Sequence, residues 1–314
     1  MDELIALNET FLEQINTIIE YIGKLVNTDK GYYRFYQEII YVGVVNRTYS
    51  LWETFSKDLV FCYYELIKEQ LIKDGKLVQK LKLNELPGYI VEEGIIHDNY
   101  IYYELKKEFV TYSTKNIGIN ELKNLFARFD VDVDTLYSNR EIIEYLKENA
   151  EAFDIQEENQ EILKTAMSRL INERNLVSHS ASIENYQSLE TIKTWAHFFT
   201  LLANELTFLI CKKFVNQDGM CLDNIGKIVK FYKKSQVLCI DIADCITINS
   251  RSLLIVKRNE QIKYLLKPIS FMVNDVEKEY VQSKDPAGIK LRPLFRDKAD
   301  IKDTDNIMLL ENVF

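Results

Sequence analysis

Proline and glycine are scarce in this sequence, which has 4 prolines and 10 glycines among its 314 residues. Both residues interrupt regular secondary structure, so their scarcity disfavours a fold built from many short turns. Hydrophobic residues make up 47% of the chain and charged residues 28%, which is typical of a globular protein with a helical bias. The length suffices for one large domain or two modest ones with a sizeable core.

The sequence also lacks a long apolar run. No stretch of about 18 apolar residues occurs, so we expect no membrane-spanning helix. The first residues, MDELIALNETFLEQ, are acidic and amphipathic, unlike a secretory signal peptide. The five cysteines include no CxxC pair, and an odd number of thiols without a signal peptide is typical of the cytoplasm. We therefore expect a cytoplasmic protein with no membrane contact and no cofactor. A zinc site formed by Cys221, Cys239 and Cys245 is kept as an alternative.

Several functional motifs are missing as well. The sequence contains no Walker loop, no glycine-rich phosphate loop, no HExxH and no serine-nucleophile elbow, which disfavours the enzyme classes that depend on them. The net charge is -9 and the pI is about 5.1, so the chain has no overall basic coat for nucleic acid. A local basic site for RNA is still compatible with this charge, because binding depends on the local field.

Apolar residues recur at helical spacing over the first two-thirds of the chain. The predicted helices cover 2–26, 34–73 with a bend at Gly43, 101–113, 119–128, 139–150, 156–177 and 186–216. Residues 86–100 contain one proline and two glycines and predict a loop or a small hairpin. After residue 216 the apolar runs become short, as in strands, and they cover 237–242, 252–257, 261–269 and 289–295.

This change of pattern predicts two domains, a helical domain over residues 1–217 and a small β-rich domain over 218–314. The second domain carries 16 Lys and Arg against 14 Asp and Glu, a net charge of +2, whereas residues 1–217 carry -11. The short runs after residue 216 suggest a small antiparallel sheet or a barrel. The predicted fold class is mainly α: an antiparallel helical bundle followed by a small, barrel-like, β-rich C-terminal domain.

The segment INERNLVSHS, residues 171–180, ends a predicted helix and carries an unexpected arginine. With residues placed at 100° steps, Arg174 falls in the middle of the apolar stripe of this helix. The other charged residues project outside the stripe: Glu161, Lys164, Arg169 and Glu173. A guanidinium on a buried face is costly unless it meets a partner or an anion. Because the segment SHSAS has low helix propensity, we predict a turn at residue 178 that folds His179 back beside Arg174.

An arginine beside a histidine suits RNA cleavage without a metal ion. The attacking 2′-hydroxyl needs a base, the leaving 5′-oxygen needs an acid, and the phosphorane needs positive charge. A histidine with its ordinary pKa of about 6.5 can transfer these protons, and an arginine fork fits the non-bridging phosphate oxygens. The alternative interpretation is structural: Arg174 pairs with a buried acid and His179 caps a helix.

RNLVSH, residues 174–179, resembles the R-x4-6-H motif of the HEPN superfamily of ribonucleases, in which a polar residue, here Asn175, typically follows the arginine. A second match, VVNRTYSLWETFSK over residues 44–57, is similar to an early-helix pattern of bacterial HEPN proteins in defence and toxin loci, with Glu53 as its acid. Glu53 lies at the edge of the apolar arc of its helix, where a solvated flanking acid is the alternative. The resemblance covers about residues 1–217.

The resemblance implies a HEPN-like helical bundle that acts as a homodimer, with the two motifs meeting across the interface in a composite cleft. It also implies metal-independent cleavage that leaves a 2′,3′-cyclic phosphate and a 5′-hydroxyl. Arg174 would hold the phosphate, and His179 would activate the nucleophile or orient the RNA. Asn175 would polarise or position this pair, and Glu53 would orient Arg174 or His179. The predicted function is an endoribonuclease acting as a toxin or antiviral effector, restrained by an antitoxin or defence-system partner protein.

Other interpretations stay open. The chain is alternatively a non-catalytic HEPN module that binds RNA, a nucleotide or a protein, or an antitoxin-like regulator. Two basic clusters, KIVKFYKK (227–234) and KRNEQIK (257–263), lie in the predicted β domain. They are typical of a solvated strand face, and the alternative is a contact with RNA or with a partner protein.

Overall fold

The computed structural model describes residues 1–26, 30–74, 105–113, 115–156, 161–180, 183, 185–217, 220–283 and 286–310. The chain divides into two compact units, Met1–Ile210 and Cys211–Phe314. This division falls earlier in the chain than the boundary near residue 218 that the sequence predicts. The first unit is helical and the second consists mainly of strands, so each is described by itself.

The helices account for most of the first unit. In chain order they are α1 (Asp2–Val26), α2 (Lys30–Lys73), α3 (Lys107–Val110), α4 (Ile119–Ala127), α5 (Arg140–Glu148), α6 (Ile162–His179) and α7 (Leu189–Val215), with 3-10 turns at Val133–Ser138 and Ala150–Phe153. Most of these bounds lie within a few residues of the predicted ones, and α2 is helical through Gly43. The predicted helix over 101–113 is wrong over its described part, since only Lys107–Val110 is helical. The predicted loop over 86–100 lies outside the described residues.

Apolar side chains at helical spacing hold α1 against α2. The buried residues of α1 are Leu4, Ile5, Asn8, Phe11, Ile15, Ile18, Ile22 and Leu25. Phe11 stacks on Phe55 of α2 with the ring centroids 4.4 Å apart. Trp52 of α2 stacks on Phe199 of α7 with a centroid distance of 5.0 Å. The aromatic side chains of α2 therefore belong to the hydrophobic core of the first unit. Buried rings of this size dominate the packing energy of a core.

The second unit consists of ten short and medium strands within its described part. They are β1 (Leu222–Asn224), β2 (Gly226–Tyr232), β3 (Val237–Ile242), β4 (Thr247–Asn249), β5 (Leu253–Arg258), β6 (Gln261–Val273), β7 (Val276–Lys278), β8 (Tyr280–Gln282), β9 (Pro286–Pro293) and β10 (Asn306–Leu310). The main antiparallel sheet has the order β1-β10-β5-β6-β9-β3-β2, with β7 paired to β6, and β4 pairs with β8 separately.

The predicted fold class, a mainly α HEPN-like bundle with a small barrel-like β domain, is wrong. The helices are followed by a large antiparallel sheet of eight strands. In the described ranges, β1 pairs only with β10 and β2 only with β3, so the sheet keeps two open edges. A barrel requires the first and last strands to pair, and short apolar runs in a sequence do not reveal that pairing. The predicted runs correspond to β3, β5, β6 and β9, whereas the other six strands are missing from the prediction.

One face of the main sheet forms the core of the second unit. Leu238 and Ile240 of β3 pack there with Phe271 of β6 and Ile289 of β9. The first residue of β2, Gly226, must be glycine. Its φ is +136°, and a Cβ atom there would lie 2.0 Å from the carbonyl oxygen of Asp241.

Candidate functional site

The C-terminal half of α6 lines an open cleft of about 660 Å³ in the helical unit. Three segments contribute the lining: α2, the loop that precedes α4, and α6. The lining residues are Glu53, Ser113, Lys115, Asn116, Arg174, Asn175 and His179. The four residues predicted from two separate motifs, Glu53, Arg174, Asn175 and His179, thus lie in one cleft. Its charged side chains are one carboxylate, one lysine and one arginine, with an imidazole beside them.

The predicted turn at residue 178 is wrong. Helix α6 continues through His179, and the chain leaves the helix at Ser180, which is extended with φ -88° and ψ 136°. The hydroxyl of Ser178 donates a hydrogen bond to Asn46 Oδ1 of α2 over 2.8 Å. This bond ties the end of α6 to α2 and favours a helix that ends two residues later than the sequence predicts. Arg174 and His179 project in different directions from the helix axis, and the cleft is wide enough to include both.

The guanidinium of Arg174 is half-buried and packs on an aromatic ring. Its central carbon lies 5.4 Å from the ring centroid of Tyr49, a cation–π arrangement that holds the charge at the cleft wall. Tyr49 is buried, and this burial is the main reason that the pKa of its hydroxyl is raised. The nearby carboxylate of Glu53 raises this pKa further. In the part of the chain that the structure describes, Arg174 forms no salt bridge. The alternative in which Arg174 pairs with a buried acid therefore has no support there.

Asn175 connects the arginine to the loop before α4. Its Oδ1 accepts one hydrogen bond from Arg174 Nη1 and another from Asn116 Nδ2, each 3.1 Å long. One amide oxygen thereby fixes the orientation of a guanidinium on the same helix and of a side chain 59 positions away. The predicted positioning role of Asn175 thus has a direct geometric counterpart at Arg174.

His179 is exposed at the last position of α6. Neither ring nitrogen has a hydrogen-bond partner among the residues that the structure describes. The imidazole therefore keeps both nitrogen atoms available for proton transfer or for a ligand.

Glu53 lines the cleft but contacts neither of its predicted partners. Its Oε1 forms an ion pair with Lys57 Nζ, one helical turn further along α2, at 2.7 Å. No hydrogen bond or ion pair joins it to Arg174 or His179 within the described residues. The structure therefore shows no direct orientation of either residue by Glu53.

Three cleft residues, Ser113, Lys115 and Asn116, were not predicted from the sequence. They belong to the polar loop before α4, and Ile117 and Gly118 follow them. Lys115 is exposed and adds a second cation to the cleft. The signal that marks this loop is its run of polar residues between apolar segments, which does not distinguish a binding loop from an ordinary connection.

A different charged residue of α6 is the buried one. Glu173 is 2% exposed, although its helical projection places it outside the apolar stripe. The Tyr41 hydroxyl donates to its Oε1, and Arg169 Nη1 donates to its Oε2 over 2.7 Å. Burial and the hydrogen bond to Glu173 raise the pKa of Tyr41. These partners offset the cost of burying the carboxylate. A helical projection cannot show the bond from Tyr41, because Tyr41 lies on α2.

The zinc alternative has no geometric support in the described ranges. No group of three or more His, Cys, Asp and Glu side chains is arranged there to hold a metal ion. Within the same ranges, no helix combines the length and the apolar character needed to cross a membrane.

A comparison with models of known protein families finds no match, and a comparison with curated proteins finds none significantly similar to this chain. The function is therefore inferred from the cleft itself.

Proposed function

We propose that this chain is a metal-independent endoribonuclease whose reaction takes place in the α6 cleft. The observation that carries the proposal is the presence of Arg174, Asn175 and His179 in one open cleft, with Lys115 as a second cation. A guanidinium and an ammonium suit a phosphodiester group, because charged donors form the strongest hydrogen bonds to phosphate oxygens. The exposed imidazole of His179 has no hydrogen-bond partner among the described residues, and histidine is the most common general acid or base in proteins.

The proposed reaction is an internal transfer at phosphorus. The RNA 2′-oxygen forms a bond to the adjacent phosphorus while the bond from phosphorus to the 5′-oxygen breaks. The 2′-hydroxyl proton passes to a base, and the leaving oxygen receives a proton from an acid. The products are a 2′,3′-cyclic phosphate and a 5′-hydroxyl. Arg174 and Lys115 hold the non-bridging oxygens and stabilise the charge of the phosphorane.

This chemistry favours a homodimer. One imidazole cannot be the neutral base and the protonated acid in the same step, whereas two copies of His179 in one composite cleft supply both. The resemblance to HEPN ribonucleases points the same way. In this proposal the enzyme acts as a toxin or antiviral effector, and an antitoxin or defence-system protein restrains it.

A non-catalytic binding module is the second candidate. The observation that favours it is the ion pair between Glu53 and Lys57, which leaves the proposed accessory acid without contact to Arg174 or His179. A cleft with two cations binds an RNA phosphate whether or not it cleaves the chain.

The test is RNA cleavage by the purified wild type, Arg174→Ala and His179→Ala, with EDTA present. We expect cleavage by the wild type with cyclic phosphate ends, and losses of roughly 100-fold or more in each variant. Arg140→Ala and His197→Ala are matched controls, because both side chains are exposed on other helices, and they should cleave like the wild type. RNA binding without cleavage would favour the binding module. Cleavage that survives both cleft substitutions, or that EDTA abolishes, would refute the proposed site.

A further inference from the structure

The two basic clusters of the second unit have different structural roles. In the cluster over 257–263, Arg258 is partly buried and held by hydrogen bonds. Its Nε and Nη2 donate to the two carboxylate oxygens of Asp305 over 2.7 and 2.8 Å, and its Nη2 also donates to the carbonyl of Asp300 over 2.7 Å. This arginine stabilises the fold. The cluster over 227–234 lies on β2 and the turn after it, where its lysines are exposed.

Strand pairing places the exposed residues of β2 on the same face as cations from two further strands. Tyr232 of β2 pairs with Val237 of β3, which pairs with Lys290 of β9. Residues directly opposite in an antiparallel ladder point to the same face. The next residue on this face of β9, Arg292, pairs with Lys267 of β6. We define the basic sheet face as Lys230, Tyr232, Lys267, Lys290 and Arg292.

This face concentrates positive charge from three strands. Lys267 and Arg292 are directly opposite each other, and Lys290 lies two residues before Arg292 on β9. Within the described residues, Lys230, Lys267 and Lys290 form no salt bridge. Of the two carboxylates on this face, Asp241 is opposite Lys227, and Glu277 is opposite Met272 at the far end of the row that begins with Lys230. A bound polyanion would relieve this concentration of positive charge.

Protection of the sheet edge does not explain this face. Lysines on an edge strand commonly prevent pairing with another chain, and β2 is an edge strand. However, β9 and β6 lie inside the sheet with a neighbour on each side. Their cations cannot serve that purpose. The face extends over three strand spacings, or about 14 Å.

The aromatic ring on this face indicates the kind of polyanion. Tyr232 is 46% exposed, and Lys230 Nζ lies 4.7 Å from its ring centroid. An exposed ring among cations on a sheet surface suits unpaired bases, which stack on aromatic side chains while lysines follow the backbone. Bases within a duplex are not available for such stacking.

We infer that the basic sheet face is a binding surface for single-stranded RNA. The inference rests on the proposed function for its choice of RNA, and it adds a second RNA-binding surface to the proposed ribonuclease. It does not require that the α6 cleft cleaves RNA.

The test uses the full-length chain and a fluorescein-labelled, single-stranded 2′-O-methyl oligonucleotide of about 12 nucleotides, a length in the range that sheet-based binders cover. The methyl group blocks 2′-hydroxyl attack, so binding is measured independently of cleavage. Fluorescence anisotropy gives the Kd between about 50 and 200 mM salt. The sheet variant is K230Q/K267Q/K290Q. The charge-matched control is K278Q/K298Q/K302Q, which removes three exposed lysines elsewhere in the second unit.

We expect the control to bind like the wild type and the sheet variant to bind at least tenfold more weakly. The magnitude of the slope of log K against log salt should fall by about 2 in the sheet variant, since each lost phosphate contact to a single strand contributes about 0.7. Tyr232→Leu should weaken binding about fivefold or more through lost stacking and leave the slope unchanged. This single substitution also tests the inference if the triple variant folds poorly.

Equal Kd values for the wild type and the sheet variant would overturn the inference, as would equal losses in the sheet variant and the control. Duplex RNA bound as tightly as the single strand, with no effect of Tyr232→Leu, would also refute it. Binding of polyglutamate in place of the oligonucleotide would assign the face to an acidic protein.

Cleavage of unmodified RNA is measured in a separate assay. Binding by the sheet face without cleavage would refute only the proposed function, and cleavage without any effect of the sheet variant would refute only this inference.

Discussion

Two neighbouring residues of α6, Glu173 and Arg174, carry opposite charges and lie in opposite environments. Glu173 is buried and accepts hydrogen bonds from Tyr41 and Arg169. Arg174 is half-buried, lies on the ring of Tyr49 and faces the cleft. A buried carboxylate needs donors around it, and the fold supplies them. Some of the guanidinium N–H donors face solvent, as the proposed contact with a phosphate requires.

Asn175→Ala provides a test at the scale of a single residue. Its amide oxygen accepts hydrogen bonds from Arg174 and Asn116, so its removal frees the guanidinium to adopt other orientations. In the proposed ribonuclease we expect kcat/KM to fall about tenfold or more, because a hydrogen bond to a charged group is worth about 1.5–3 kcal/mol. Cleavage assays on the purified variant measure this loss.

The matched control is Asn120→Ala, which removes an exposed asparagine of α4 outside the cleft. It should cleave like the wild type, and both variants should keep the wild-type melting temperature to within a few degrees. Full activity in Asn175→Ala would show that Arg174 is held by other contacts.

At the scale of elements, a buried ion pair fastens the loop before β10 to β5. Arg258 of β5 binds both carboxylate oxygens of Asp305, and the backbone N–H of Lys302 donates to the same carboxylate over 2.9 Å. The Asp305 side chain is fully buried. Asp305 immediately precedes β10, which lies between β1 and β5 in the sheet. The ion pair therefore helps to set the register of β10.

Asp305→Asn should destabilise the protein in a pH-dependent way. Burial alone would raise the pKa of Asp305, but the hydrogen bonds from Arg258 and Lys302 outweigh it and lower the pKa below its ordinary value of 3.8. At neutral pH we expect a loss of about 3–5 kcal/mol in the free energy of unfolding, because Arg258 is left without its carboxylate. Urea titrations at several pH values measure this loss.

The sign of the pH effect follows from proton binding. As the pH falls through 3.8, the unfolded chain binds the proton before the folded one, so the wild type loses this stabilisation in acid. The difference in the free energy of unfolding between wild type and Asp305→Asn should have its largest value above about pH 5. It should decrease as the pH falls below the ordinary pKa of an aspartate. Asp303→Asn, an exposed substitution in the same loop, should show no such difference. If the stability difference between wild type and Asp305→Asn stayed constant down to strongly acidic pH, the ion pair of Asp305 with Arg258 would not be its cause.

At the scale of the whole molecule, the proposed homodimer has a candidate surface on α1 and α2. Tyr21 is 45% exposed and Ile39 is 73% exposed, and both line a groove of about 510 Å³ between these helices. Exposed apolar side chains grouped in this way are typical of an interaction surface. The same helix α2 carries Asn46, which bonds to Ser178 beside His179. The groove and the cleft are thus connected through one helix.

Ile39→Asp should convert the proposed dimer to a monomer, because a dimer would bury the introduced carboxylate without a partner. Light scattering coupled to size-exclusion chromatography measures the mass, and cleavage should fall together with dimerisation if the active cleft is composite. Val276→Asp is the matched control, since Val276 is an exposed aliphatic residue on β7 in the second unit. A monomeric wild type, or a variant that stays dimeric, would refute this surface.

Local patterns predict some parts of this protein well. The bounds of α1 follow from a regular apolar stripe, and β3 follows from a short β-branched run bounded by turns. The segment over 101–113 was harder because α3 has only four residues, which is shorter than a helical period can identify. For the cleft, the motif residues were found from spacing and resemblance. Lys115 and Asn116 were missed because a polar loop has no period.

The sequence by itself determined the change from helices to strands, the helix that carries Arg174 and Asn175, and the second helix that carries Glu53. These depend on contacts a few positions apart along the chain, which periodicity reports directly. The sequence placed His179 beyond the end of its helix, whereas the structure has His179 as the last helical residue. The tertiary structure decided that Glu173 is the buried charge, that Lys115 joins the cleft, that the sheet is open, and that Lys230, Lys267 and Lys290 share one face. Each of these depends on partners far away in the sequence, and strand order and side-chain pairing arise only when distant segments pack together.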